Sequence, residues 1–425
     1  MSQNGIDGPL NFEEKALGAF NQTCHQLFSL LLNLPGLRVP GNAPRPGEVS
    51  AGTRGCDVFT SFGHVRVDNR AYFYNPNTKT GRFPFDDALG LINGCTPALA
   101  KRALECAATH PYDKAAQIIR KNITPEMTPD ILKTLVRHAG NHAAGFFTHP
   151  LGASVRPDAQ QAECVVLTAD GTGMPMRRKH LRGVKGRGPD GKAKTREAKL
   201  SAIYKVNPVP GQPAKRLPNS TSYTVTLERK APFADRFRCD YRRRFPVVPK
   251  VTLFLCDGSK WLREIRRTHF PHAIEILDFY HAAEHLAPLL DLAGLSGKDR
   301  KTTFKKWRCW LKAGKVGRLI EVCQGLAATA SGDDAKAWKK ALVYYENNRG
   351  RMKYDEYLAN GWPIGSGVVE AGCKTVVGAR FKQPGMRWSR KGTDALFPFR
   401  TALLSGRYDE LWTHILHKRN PRNAA

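Results

Sequence analysis

Apolar positions recur at helical spacing from Phe12 to Asn33, and the Pro- and Gly-rich stretch Pro35 to Gly55 behind them reads as a linker. Val65 to Val67 and Ala71 to Tyr74 flank polar turn residues and predict a small β element, with a second turn at Asn75-Pro76-Asn77. From Thr96 the spacing turns helical. Thr96-Pro97, Thr124-Pro125 and Thr128-Pro129 each set a hydroxyl before a proline, as at a helix start, and helices are predicted over Pro97 to Thr109, Tyr112 to Lys121 and Pro129 to His138. The last carries Lys133, Arg137 and His138 and suits a helix-turn-helix reading DNA; core packing accounts for the same pattern.

From Cys164 the texture is that of strands. Cys164 to Ala169, Lys199 to Val206 and Ser222 to Leu227 are rich in branched residues, a helical stretch covers Phe233 to Phe245, and Val251 to Cys256 and Ala273 to Leu277 lack polar alternation, as strands buried on both faces do. This order predicts an α/β domain with a mixed sheet. Ala282 to Tyr357 is helical throughout, with breaks at Gly294, Gly314 and Ser331-Gly332, and reads as an inserted helical bundle. The α/β pattern resumes at Pro363 to Ser389, followed by a helix over Lys391 to Leu404. The expected division is 1–55, an N-terminal helix and linker; 56–160, a β element and a helical region with the helix-turn-helix pattern; 161–281, the first part of the α/β domain; 282–360, the helical insertion; and 361–425, the remainder of the α/β domain.

Composition narrows the partner. Lys and Arg total 67 against 37 acids, a formal charge of +30, so a polyanion is the natural counterweight and nucleic acid the leading one. The longest apolar run, Leu27 to Leu34, falls short of the ~20 residues of a membrane span, and the polar start lacks a basic leader segment, which together read as a cytoplasmic protein without a membrane partner. Ten cysteines without a CxxC pair argue against a disulfide framework or a zinc ribbon; Cys164, Cys256 and Cys323, inside apolar runs, read as buried thiols.

Three acids stand out. Asp170 ends an apolar strand before Gly171-Thr172-Gly173, and Asp257 repeats the arrangement before Gly258, so both carboxylates are expected at the carboxyl edge of a sheet, where open α/β sheets bind ligands. Asp-Gly after a strand is by itself also an ordinary turn. Glu370 follows the glycine-rich turn Pro363 to Val369, one position beyond the spacing of a capping box from Ser366. Three such carboxylates in a basic chain suit two-metal phosphoryl transfer.

Cys256-Asp257-Gly258, Asp278-Phe279-Tyr280-His281 and above all PIGSGVVEAGCKTVVGARFKQPGMRWSR, Pro363 to Arg390, resemble the ISKra-type family of bacterial insertion-sequence transposases and, more distantly, the mutator-like group. The likeness runs from about Phe83 to Trp412. It implies a ribonuclease H-like mixed sheet with an all-helical insertion, preceded by a mainly helical DNA-binding region. It also implies a DDE triad of Asp170, Asp257 and Glu370 that binds magnesium, with manganese as a substitute, and an accessory pair, Asp278 and His281. Asp278 competes with Asp257 for the second acid; Asp257 is preferred because it ends a core strand, whereas Asp278 opens a helix and can serve as its cap. Implied partners are double-stranded DNA, as transposon terminal inverted repeats and as target, and further copies of the chain assembled on it. Where members carry a cysteine pair this chain has Asn75-Pro76-Asn77-Thr78, so no zinc knuckle is expected there. Alternatives are a structure-specific nuclease without strand transfer and a non-catalytic DNA-binding derivative.

Basic residues cluster near the acids. Arg177, Arg178, Lys179, Arg182, Lys185 and Arg187 follow Asp170, and Lys374, Arg380, Lys382, Arg387 and Trp388 follow Glu370; all are candidates for holding a phosphate backbone. Trp307 and Trp310, with Phe304 and Leu311 at helical spacing, read as core packing ahead of base stacking.

Overall fold

The structure, a computed structural model, describes residues 9–34, 39–143, 145–147, 163–184, 191 and 193–419. Contacts divide the chain into two units: Met1–Phe146 with Lys391–Leu403 and Tyr408–Ala425, and Phe147–Arg390 with Leu404–Arg407.

The first unit opens with helix α1 (Pro9–Leu32) and an antiparallel sheet of β1 (Val49–Thr60), β2 (Gly63–Asn75) and β3 (Thr80–Arg82) in that order. The expected linker, of which residues 35–38 lie outside the described residues, therefore stops before Val49 and not at Gly55. The first seven residues of β1 are exposed, so pairing with β2 creates the strand where no apolar alternation announces it. At the β2–β3 turn, Asn75 Oδ1 accepts from the amides of Asn77 and Thr78 at 3.0 and 3.1 Å, the local bond that makes asparagine a turn residue.

Helices α2 (Pro84–Ala88), α3 (Pro97–Thr109), α4 (Tyr112–Asn122) and α5 (Pro129–Ala143) follow. Thr128 Oγ1 accepts from the Ile131 amide at 3.2 Å, capping α5, but Thr124-Pro125 starts no helix: the Thr124 hydroxyl donates to Glu126 Oε2 at 2.6 Å. Residues 391–403 of the C-terminal helix α16 (Arg390–Leu404), and helix α17 (Tyr408–Arg419), group with this unit. A Cβ on Gly140 of α5 would stand 2.7 Å from Ala395 Cα, Arg400 Nη1 donates to the Ala108 carbonyl at 3.2 Å, and Tyr408 Oη donates to the Lys101 carbonyl at 2.6 Å.

The second unit is built on a mixed sheet. Strands β4 (Cys164–Pro175), β5 (Thr195–Asn207), β6 (Lys215–Arg216), β7 (Ser222–Thr226), β8 (Val251–Cys256) and β9 (Ile274–Leu277) take the order β6-β5-β4-β8-β9, with β7 also on β5. β5 runs antiparallel to β4, β6 and β7, whereas β4, β8 and β9 are parallel. Of the two strands expected to be buried on both faces, β8 is so, whereas β9 is exposed at Ile274 and only half-buried at Glu275. Val165, Leu167, Phe254 and Cys256 join the core of α6 (Lys230–Arg244) and α7 (Lys260–His269), while Cys164, Val166, Leu253 and Leu255 face the opposite way.

That opposite face is covered by the helical insertion itself: α8 (Phe279–Glu284), α9 (Leu286–Leu292), α10 (Gly297–Lys312), α11 (Val316–Ala327), α12 (Gly332–Asn348) and α13 (Tyr354–Ala359). Leu286, Leu289, Trp307, Leu311, Leu319, Trp338 and Tyr345 share one core with the sheet residues. The breaks fall at glycines with φ of +66° (Gly294), +68° (Gly314) and +59° (Gly332), a region closed to most side chains. Below the sheet's outer strands, Asp240, 1% exposed, accepts from Arg407 Nη1 and the Ser222 hydroxyl, each at 2.7 Å, so its buried charge is paired.

Candidate active site

Asp170 and Asp257 issue from neighbouring parallel strands. The last paired positions are Thr168 and Leu255, so each aspartate lies two residues further along its chain. β8 stops at Cys256, as expected, but β4 does not stop at Asp170: it runs on to Pro175, paired with β5 throughout. Gly171 and Gly173 are therefore strand residues. A Cβ on Gly171 would lie 2.5 Å from Glu197 Oε1 and one on Gly173 3.0 Å from Thr195 Oγ1, so close approach to β5 explains them better than a turn. Gly258 does need its freedom, with φ +84° and Leu277 Cδ1 2.6 Å from where a Cβ would sit.

Both carboxylates are half-buried and locally oriented. Asp170 Oδ1 accepts from the Gly171 amide at 2.6 Å, and Asp257 Oδ1 from the Ser259 amide at 2.9 Å. Burial pushes the Asp170 carboxyl above the ordinary range, against the pull of the Gly171 bond, and the charges of Asp257 and Glu370 push it the same way. Asp170 thus feels both other acids of the candidate triad.

Glu370 is exposed on α14 (Gly367–Gly372), which passes through a π-helical turn, Cys373–Gly378, into α15 (Ala379–Phe381). The preceding loop is fixed to the start of α8. Phe279 donates its amide to the Ile364 carbonyl at 2.8 Å, and the Ser366 amide donates to Asp278 Oδ2. The Ser366 hydroxyl donates to Glu370 Oε1 at 3.1 Å, which explains the off-by-one spacing: the serine holds the glutamate's carboxylate and makes no bond to a backbone amide of the helix. Gly372 lets the helix settle on the sheet, since a Cβ there would come within 2.9 Å of Tyr223 and 3.1 Å of Leu200.

Asp278 is 2% exposed and has both oxygens engaged, Oδ1 by the His281 amide at 2.7 Å and Oδ2 by Ser366. It caps α8 and anchors the Glu370 loop. His281 points elsewhere, with Nδ1 3.5 Å from Glu284 Oε2 and its ring edge-on to His285.

The sequence reading missed Cys373. Its Sγ donates to Asp170 Oδ2 at 3.8 Å, and burial, then the Asp170 charge, pushes the thiol up to about 12. One helical turn separates it from Glu370, and that spacing was the available signal. Thr172, two residues beyond Asp170 on the same strand face, accepts from Lys382 Nζ at 2.6 Å.

Of the basic candidates, Arg177, Arg178, Lys179, Arg182, Lys374, Lys382 and Arg387 are exposed; Lys185 and Arg187 lie outside the described residues. Two assignments need correction. Arg380 is fully buried, with its guanidinium 5.6 Å from the Phe381 ring and 5.2 Å from that of Trp388. Trp388 is 8% exposed, donates Nε1 to the Phe381 carbonyl at 3.0 Å, and exchanges backbone bonds with Pro175 and Arg177. Buried as they are, neither presents its side chain to a phosphate.

The acids form no ready cage: among the described residues no group of three or more His, Cys, Asp or Glu is arranged to hold a metal ion. All ten cysteines are free, and no helix among the described residues is long and apolar enough to cross a membrane.

No protein-family model matches the chain, and no curated protein matches it. Among solved structures, the Drosophila P element transposase strand transfer complex is similar over 77% of this chain and 84% of its own, at 10% identity and a TM-score of 0.25.

Proposed function

We propose that this chain is a DDE-type DNA transposase of a bacterial insertion sequence, which binds transposon ends, cleaves a phosphodiester and joins the freed end to target DNA on a ribonuclease H-like domain. The observation that carries the reading is the placement of Asp170 and Asp257 each two residues beyond the last paired positions of the adjacent parallel strands β4 and β8, with the charges of Asp257 and Glu370 both acting on Asp170. The antiparallel strands β4, β5 and β7, continued by parallel β8 and β9, with helices on both faces, support the ribonuclease H-like part. The motif from Pro363 to Arg390 and the charge of +30 support the rest.

The donor set suits magnesium or manganese. Magnesium is commonly held by one or two carboxylates with substrate phosphate completing the shell, so Asp170 and Asp257 fit it in kind without a preassembled third ligand. Glu370 would join them from its serine-held position. When bound, the ion supplies activation of the attacking oxygen and stabilisation of the leaving one. The chain's own part is orientation: the Gly171 and Ser259 amides fix the aspartates, Ser366 fixes the glutamate, and the exposed cations around Arg178 and Lys382 neutralise the backbone.

Replacing Asp170, Asp257 or Glu370 by alanine should abolish cleavage and joining of labelled terminal-repeat DNA while end binding persists. Retained strand transfer in any one variant refutes the role given to that residue.

A further inference from the structure

Helix α10 in the insertion carries a feature that no part of the triad explains. Lys298, Lys301, Lys305, Arg308 and Lys312 alternate at three- and four-residue steps, so they form one stripe along the helix, and all five are exposed. Phe304, Trp307 and Leu311 turn the neighbouring face into the core shared with the sheet, which fixes the stripe's outward direction. The stripe extends over roughly 21 Å at 1.5 Å per residue. The helix's one acid, Asp299, lies off it, and Arg300, also off it, is tied to Asp291. Among the described residues none of the five stands in an ion pair.

The stripe also has a bearing toward the candidate site. The Arg308 guanidinium lies 5.4 Å from the ring of Phe279 and 5.9 Å from that of Tyr280, the two residues after Asp278, whose other oxygen holds the Glu370 loop. Five aligned cations on a rigid helix have a high self-repulsion, which a polyanion of regular charge spacing relieves. We infer that α10 is a second docking surface for duplex DNA, engaging its phosphate backbone without reading sequence and leading the strand from the insertion toward the carboxylates. This rests on the DNA-processing reading given above and adds the insertion as a binding surface for the same substrate.

The test is the salt dependence of binding, measured with the full-length protein on a fluorescein-labelled linear duplex of arbitrary sequence. The triple variant Lys301→Gln, Lys305→Gln, Lys312→Gln should keep its fold by circular dichroism and show a log Kd against log salt slope shallower by roughly 2 to 3, near 0.9 for each phosphate no longer neutralised. A charge-matched control, Lys336→Gln, Lys339→Gln, Lys340→Gln on exposed positions of α12, should stay close to the parent. An unchanged slope in the first variant, or an equal loss in the control, overturns the inference while leaving the transposase reading intact. So does a first variant that loses binding to phosphatidylserine vesicles but not to the duplex. A parent protein that fails to bind duplex at low salt removes that reading and the inference with it.

Discussion

The thiol of Cys373 donates to the carboxylate of Asp170 across 3.8 Å, joining the π-helical turn after Glu370 to the strand of the first acid. The bond favours the ionised aspartate, against burial and two neighbouring negative charges. Cys373→Ala should move the acid limb of the cleavage pH profile to higher pH, because Asp170 then keeps its proton longer; Cys373→Ser, which restores a donor, should move it back toward the parent. An unmoved limb in the alanine variant would show that Asp170 does not govern it.

Asp170→Asn should separate activity from stability. The folded-state pKa is raised above the ordinary 3.8, so the stabilising contribution of protonated Asp170 is fully present below 3.8 and lost as pH rises through the raised value. At neutral pH the parent therefore holds a carboxylate at a cost that asparagine does not bear. The variant should melt above the parent at pH 7, with the difference closing as pH falls toward 3.8, while cleavage drops at least about a hundredfold. Calorimetry across that range decides the matter.

Asp278 gives the opposite signature. Its oxygens serve the His281 and Ser366 amides, so Asp278→Ala removes a cap and strands a buried donor, for a loss of roughly 1–3 kcal/mol in urea unfolding. Asp278→Asn keeps one acceptor and should recover part of it. Were Asp278 the second catalytic acid, the asparagine variant would lose activity with little change in stability.

Gly140→Ala improves helix propensity yet should destabilise by about 1–3 kcal/mol, since the new methyl would meet Ala395 backbone at 2.7 Å. A rise in melting temperature would mean that α5 and α16 can part at little cost.

Arg380 and Arg178 should behave differently despite equal charge. Arg380→Ala should lower the melting temperature and leave the salt slope of DNA binding unchanged in whatever fraction folds, whereas Arg178→Ala should reduce that slope by about 0.9 if it meets one phosphate.

The legible parts of this chain were those fixed by short-range pattern. Apolar runs closed by Asp-Gly located β8 and the apolar half of β4, and glycine breaks located the insertion helices. β1 escaped because its exposed half is a strand only by virtue of β2. Arg380 and Trp388 were misassigned because a basic and aromatic cluster does not reveal in sequence which of its members pack inward. The pairing of Asp240 with Arg407, 167 residues away, and the return of the C-terminal helices to the first unit are long-range outcomes without a local mark.

Because the helices between the second and third acids form one face of the sheet's own core, they cannot be treated as a detachable module. Damage at Trp338 or Leu319, which are buried in that core and make no proposed DNA contact themselves, would loosen the scaffold on which the acids are aligned. A genetic screen for inactive alleles should consequently return hits throughout this block, and their number would measure mechanical support, not the extent of the chemical site.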